Sequence, residues 1–266
     1  MKNLKKGIDI SCHNGEIDMK KVKECGIEFI IIRLGYGKNK SQIDTRFHEN
    51  YRKAKEFDIP VGVYLYSYAL NCVDAISEAK LVIEEIKDLE IEYPIFLDME
   101  DSDCYKKKNF ITNSTCIEIC ETFCIEVENA GYYAGIYANL DWLTNKIASN
   151  RLDRFDKWVA QWSNKCDYKK HYGMWQYSSK GRVDGIIGNV DLNYALKDYE
   201  NIIKSAGLNH LENKENFYIV QKGDSLSKIA RMYGINWKQI YELNKNVIGK
   251  DANLIVPGQK LIIRRK

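Results

Sequence analysis

The chain has 266 residues, 45% hydrophobic and 29% charged, with 3 prolines and no low-complexity tract, which excludes a disordered or fibrous polymer. No stretch approaches the roughly 20 apolar residues of a membrane-spanning helix, so stable membrane insertion is not expected. The net charge of +3 is uneven: residues 1–200 carry 28 Lys and Arg against 32 Asp and Glu, whereas residues 217–266 carry 10 against 3.

Met1-Lys2-Asn3-Leu4-Lys5-Lys6 lacks the apolar run of a signal peptide. The expectation is synthesis in the cytoplasm, with another exit route if the protein acts outside the cell. Short apolar runs predict strands at 7–10, 29–34, 61–66, 94–99, 134–138, 158–162, 174–177 and near Val190. Helical patterns cover 18–25, 44–57, 73–89 and 114–130. This alternation predicts an α/β fold, an irregular TIM-like barrel whose later crossovers are too short for full helices. A doubly wound open sheet is the alternative.

Residues 1–200 form the first domain, 201–216 a linker without strong periodicity, and 217–266 a small basic βααβ unit. In that unit Asp224 is positioned to cap the first helix and Gly234 to end it, while Asn236 and Gln239 have capping-box spacing. Its charge implies a polyanionic partner such as wall polymer, membrane surface or nucleic acid, and charge does not choose among them.

The segment Ile95-Phe96-Leu97-Asp98-Met99-Glu100 runs an apolar strand into acids. The strand period puts Asp98 and Glu100 on one face, with Cα atoms roughly 6.5–7 Å apart. Asp9 and Asp191 repeat the pattern near two other strand ends. In a barrel all four would meet at one mouth. Two anions about 6 Å apart repel by roughly 3 kcal/mol at an effective dielectric of about 20, enough to raise one carboxyl toward neutrality, as a general acid requires. A lone Asp-x-Glu is usually a solvated loop start; four such acids are not. Clustered carboxylates also suit magnesium or calcium, but no histidine or calcium-loop pattern accompanies them, so neither metal nor cofactor is expected.

Tyr64 and Tyr66 alternate on one strand, Tyr137 ends another, and Trp162 and Trp175 lie among the late strands with Gln161 and Gln176. Aromatic faces beside amides suit sugar rings, although each such residue taken singly is more often core. The 8 cysteines include Cys116, Cys120 and Cys124 on one helical face and show no paired CxxC spacing; buried free thiols are expected.

Gly7-Ile8-Asp9-Ile10-Ser11, Phe29-Ile30-Ile31-Ile32-Arg33, Gly62-Val63-Tyr64, Leu97-Asp98-Met99-Glu100, Gly135-Ile136-Tyr137, Trp175-Gln176-Tyr177 and Val190-Asp191-Leu192-Asn193 occur in one order. Together they make residues 7 to about 195 resemble the glycoside hydrolase family 25 muramidases. The resemblance implies Glu100 as catalytic acid, Asp98 as its partner and Asp9 and Asp191 as supporting acids. Arg33, Tyr64, Tyr66, Tyr137, Gln161, Trp162, Trp175 and Gln176 are the candidate substrate contacts. Met19 departs from the family, where a tryptophan often follows Ile-Asp, and this puts an aromatic wall contact in doubt.

Residues 217–264 resemble a lysin-motif (LysM) module through Tyr218-Ile219-Val220-Gln221-Lys222-Gly223-Asp224, Leu243-Asn244 and Leu254-Ile255-Val256-Pro257-Gly258. That resemblance implies a shallow groove for N-acetylglucosamine-containing glycans, lined by Gly223, Asp224, Ser225, Leu226, Asn253, Leu254 and Ile255. The implied partner is bacterial peptidoglycan, not nucleic acid. The implied reaction is hydrolysis of the β-1,4 bond between N-acetylmuramic acid and N-acetylglucosamine, with retention, Asp98 acting as nucleophile or orienting a substrate acetamido group. A phage endolysin fits; a bacterial autolysin, a chitinase-like hydrolase and a non-catalytic wall-binding protein are the alternatives. Oligomeric state is not legible.

Overall fold

The computed structural model describes residues 4–211 and 216–263, in two compact units that divide after Leu211. In the first, eight strands close into a barrel in chain order: β1 (Lys5–Ile10), β2 (Phe29–Tyr36), β3 (Val61–Tyr66), β4 (Ile95–Asp98), β5 (Ala134–Asn139), β6 (Asp156–Ala160), β7 (Met174–Gly181) and β8 (Val190–Ala195). Strands β1 to β7 run parallel, whereas β8 runs antiparallel to both β7 and β1 and closes the cylinder. The expected barrel forms, but the short β7–β8 connection makes a hairpin, which reverses the last strand.

α-Helices cover the early crossovers, namely α1 (Met19–Glu24), α2 (Phe47–Glu56), α3 (Cys72–Ile86), α4 (Tyr105–Lys108) and α5 (Asn113–Asn129), and the β5–β6 crossover carries a short π-helical turn, Trp142–Lys146. Asp18, Asn71 and Thr112 cap α1, α3 and α5 by accepting backbone N–H groups. The second helix starts at Phe47, not at Asp44, because the Asp44 carboxylate accepts hydrogen bonds from the Cys12 amide and Arg33. Cys116, Cys120 and Cys124 bury one face of α5, while Cys25 and Cys104 are exposed and the other three are half-buried, so the expectation of buried thiols holds for the helix alone.

Strand alternation divides the apolar residues into two layers. Ile8, Ile30, Ile32, Val63, Leu65 and Leu97 point outward under the helices. Phe29, Ile31, Phe96, Trp158 and Met174 fill the barrel, with Tyr93 and Tyr199 in the same cluster. Large rings fit inside only where their neighbours lack side chains: a Cβ at Gly7 would lie 2.3 Å from the Phe29 ring, and one at Gly135 would lie 2.5 Å from Phe96. Met19, the first residue of α1, is buried in the outer layer.

Residues 201–211, assigned to a linker by their pattern, belong to the barrel unit. Helix α6 (Tyr199–Ser205) buries Tyr199 and Ile203. Asn209 is buried, donating to the carbonyls of Ile91 (2.8 Å) and Tyr93 (3.0 Å) and accepting from the Tyr133 amide. Such anchoring is non-local and leaves no periodic trace.

The second unit pairs β9 (Asn216–Ile219) antiparallel with β10 (Lys260–Ile263) around α7 (Leu226–Tyr233) and α8 (Trp237–Ile248). Its core contains Val220, Leu226, Ile229, Ile240, Leu261 and Ile263. Ser225, not Asp224, caps α7; the Asp224 carboxylate instead accepts from the Tyr218 hydroxyl (2.6 Å) and the Gln221 amide. Gly234 ends α7 in a left-handed conformation, and Asn236 and Gln239 form the reciprocal capping box. Asn244 interrupts the helical backbone of α8, and its buried amide exchanges two hydrogen bonds with Ile262 of β10.

Replacing Gly7 by Ala should lower the unfolding free energy by about 1–3 kcal/mol through overpacking against Phe29. Urea unfolding measures it, and adding Phe29→Leu should restore part of the loss. An unchanged midpoint in the single variant would show that β1 can shift to make room.

Candidate active site

The mouth of the barrel is the end to which β1–β7 deliver their last residues. Asp98 is the final residue of β4, and Glu100 lies two residues beyond it, off the strand. Met99 between them is buried in the outer layer, so the alternation continues past the strand end and both acids face the mouth. Asp191 sits near the start of β8, not at a strand's C-terminal end. The reversal of β8 brings it to the same rim, directly in register with Asp9 of β1.

Asp9 is buried, and its Oδ2 accepts from Gln176 Nε2 (2.9 Å) and Asn193 Nδ2 (2.8 Å). These two amides are themselves fixed. Gln176 Oε1 accepts from the Tyr137 hydroxyl (3.0 Å) and Trp162 Nε1 (3.1 Å), and Asn193 Oδ1 accepts from Trp158 Nε1 (2.8 Å). Burial, and then the charge of Asp191, push Asp9 up to about 8, while burial pushes Asp191 up to about 6. This pair therefore retains a proton near neutral pH.

Asp98 is also buried, and its Oδ1 has no hydrogen-bond partner among the described residues. Desolvation, then the neighbouring Glu100, raise its carboxyl well above the ordinary range, while Lys106 and Arg33 pull the other way. Glu100 is half-buried; desolvation raises it, opposed by Lys106 and assisted by Asp191 and Asp103. The four expected acids are thus linked in one cluster: Asp98 feels Glu100 and Asp9, and Asp191 acts on Glu100 and Asp9. Among the described residues no group of three or more His, Cys, Asp or Glu is placed to hold a metal ion.

The aromatic candidates divide. Tyr64 and Tyr137 pack against Trp158, with ring centroids 5.9 and 4.5 Å away, and form the floor beneath the acids. Trp162 stands at the rim, 65% exposed, with its indole N–H tied to Gln176. Tyr66 pairs in register with Asp98 and bonds Ser102. Trp175 is not brought to the mouth: as the neighbour of Gln176 on β7 it faces the other way, clustering with Tyr177 and Tyr194. Gln161 spends both ends of its amide on Asp167, closing its own loop. Arg33 is ion-paired to Asp44 at 2.7 Å. It lines a cleft of about 470 Å³ with His13, Tyr36, Tyr66 and Tyr68.

Two participants were not singled out from sequence. Asn193 lies two residues after Asp191, so strand period places both on one face. Lys106 lies in a run of three lysines, and nothing local marks it as the buried one.

Residues 8–186 match the model for glycosyl hydrolases family 25, and residues 218–264 match the LysM domain. The chain belongs to glycosyl hydrolases family 25. Among its relatives is an autolytic lysozyme of Clostridium acetobutylicum, 27% identical over 188 residues that cover 70% of this chain and 54% of that protein. The modular autolysin LytC from Streptococcus pneumoniae, solved with a synthetic peptidoglycan ligand, superposes with a TM-score of 0.66 and 33% identity. That match covers 72% of this chain and 46% of LytC. The chain thus spans about half the length of these two relatives. A bacterial lysozyme from Streptomyces coelicolor shares the fold, with a TM-score of 0.64 at 23% identity, over 78% of this chain and 98% of that one.

In the LysM unit a hollow of about 110 Å³ is lined by Ser225, Leu226, Ser227, Trp237, Ala252, Asn253 and Ile255. Four of the expected groove residues are among them. Gly223, Asp224 and Leu254 are not, and Trp237, reached through the fold from the start of α8, was not expected.

Because Asp9 and Asp191 titrate above their unfolded values, the folded state binds more protons than the unfolded chain between about pH 4 and pH 8. The contribution of this pair to stability therefore falls as pH rises through that window. The unfolding midpoint of the native chain should drop between about pH 5 and pH 8 more steeply than that of Asp9→Asn. Equal slopes would locate the proton elsewhere.

Proposed function

We propose that this family 25 member hydrolyses the β-1,4 bond from N-acetylmuramic acid to N-acetylglucosamine in peptidoglycan, with retention and with Glu100 as general acid and base. The observation that carries this reading is the buried, unpartnered Oδ1 of Asp98 beside Glu100. An orphaned buried acceptor costs about 1–3 kcal/mol, and a substrate N–H placed against it recovers that cost. The 2-acetamido group of an amino sugar supplies such an N–H next to the anomeric carbon.

Glu100, whose burial favours the protonated form, donates its proton to the leaving glycosidic oxygen as the C1–O bond breaks. In one route the acetamido carbonyl oxygen attacks C1, and Asp98 holds the amide N–H and balances the positive charge that develops on the ring so formed. In the other, Asp98 attacks C1 itself. In both, Glu100 as carboxylate then takes a proton from water, which opens the intermediate from the opposite face, and two inversions give retention. Asp9, braced by Gln176 and Asn193, and Asp191 set the field around the two acting carboxyls. Trp162 and Tyr66 offer rim surfaces on which sugar rings can stack.

The LysM hollow is the second contact, taking N-acetylglucosamine units of the same polymer, and its basic unit suits an anionic wall. The peptidoglycan ligand of LytC and the autolytic name of the clostridial relative support wall glycan as substrate. Release as a phage endolysin at the end of infection is the setting we favour.

Glu100→Gln should fold normally and lose about 10²-fold or more in turnover on Gram-positive walls. Borohydride labelling and mass spectrometry of the native digest should place the new reducing end on N-acetylmuramic acid. Near-native turnover by the variant, or products from chitin alone, would refute the assignment. A chain ending at Leu211 keeps the whole barrel unit and should still cut soluble glycan while binding intact walls more weakly; equal wall binding would remove the LysM unit from the reading.

A further inference from the structure

The loop that follows β4 carries Glu100, and it is held by more than its own turns. Asp101 accepts the amides of Lys106 (2.7 Å) and Lys107 (2.9 Å), folding the loop back onto the single turn of α4. Tyr66 and Tyr68 reach across from β3 and its extension to Ser102 and Asp103. In the middle of this arrangement lies Lys106, only 3% exposed.

Its ammonium donates to the backbone carbonyls of Ser67 and Glu100, the latter at 3.0 Å, and lies 5.6 Å from the centre of the Tyr66 ring. Ser67 is fixed in turn: its amide donates to the Asp98 carbonyl (3.0 Å), and its hydroxyl donates to buried Glu78 of α3 (2.8 Å). A buried ammonium normally ends on a carboxylate. Here carbonyls satisfy it, so its field is not spent on one direct ion pair and acts on the carboxyls around it.

We propose that Lys106 is a positioning residue for Glu100, its buried ammonium clipping the backbone of the acid to the end of β3 and placing a positive charge beside Asp98 and Glu100. The inference rests on the reading of Glu100 as the acid. A passive clip would need only the hydrogen bonds; the proposal needs the charge as well. The groups facing Lys106 are Asp98 and Glu100 from the β4 end, Tyr66 of β3, Glu78 from α3, Asp101 and Asp103 from the loop, and the Cys116 and Cys120 thiols of α5. Glu100 also faces Asp191 of β8, and Asp98 faces Asp9 and Arg33. Lys106 lowers both Asp98 and Glu100 against their desolvation.

The test is the pH dependence of kcat/KM on solubilised glycan strands for the full-length chain and for Lys106→Gln, Lys106→Met and Lys106→Arg, with thermal unfolding of each. Loss of the cation should let both carboxyls rise, moving both limbs of the bell-shaped profile upward by roughly one unit in the neutral variants. Lys106→Arg should keep the limbs in place whatever it does to the rate. Neutral variants that are slower or less stable with unmoved limbs would overturn the proposal and leave a structural clip. So would failure of both neutral variants to fold while Lys106→Arg folds. An active Glu100→Gln, measured separately, would sink the underlying reading of the acid and is distinguishable from either result.

Discussion

Carboxylates gathered at one rim repel one another and lose hydration, and the surrounding side chains are arranged around that cost. Asp9 is held by two amides, each oriented by a tyrosine or tryptophan of the barrel. Asp9 and Asp191 lie directly opposite each other across antiparallel strands and retain a proton between them. Asp98 and Glu100 lean on the buried charge of Lys106. The amides, the retained proton and the lysine each offset part of that cost, and burial still holds all four carboxyls above their ordinary range.

Beneath the acids the barrel is filled, not hollow. Trp158 is the keystone of this floor: its faces meet Phe96, Tyr64 and Tyr137, and its N–H fixes Asn193 under Asp9. Packing and electrostatics are therefore coupled through one side chain. A change of volume in the floor would tilt the amides that hold the acids, and interior packing is too dense to absorb such a change silently. The glycines of β1 and β5 belong to the same scheme, since they vacate the space that Phe29 and Phe96 occupy.

The LysM unit is built on a different economy. Its small core is supplemented by polar ties, the Tyr218–Asp224 bond and the Asn244 amide that locks α8 to β10. Those ties do for 48 described residues what sheet closure does for the barrel. Ser225 and Asn253 line the hollow that includes Trp237.

Local pattern was sufficient for the strand order, the barrel and helices α1, α2, α3 and α5, and it put four acids near strand ends, because period-two alternation and acids at strand ends are written in adjacent residues; α4 and α6 left no such pattern. The same rule, applied further, would have added Asn193 beside Asp191 and separated Trp175 from Gln176. Other features had no local signature. The linker pattern concealed Asn209, whose partners lie more than seventy residues away. The helical patterns start at Asp44 and place Asp224 as a cap, but non-local donors claim one and a neighbouring tyrosine the other. Lys106 could not be told from Lys107 and Lys108. Composition and spacing by themselves determined which residues could face a mouth. Tertiary structure decided that β8 runs backward, that Asp191 therefore meets Asp9, and that one lysine of three is buried, because strand direction and burial are settled by hydrogen bonds and contacts between segments distant in the chain.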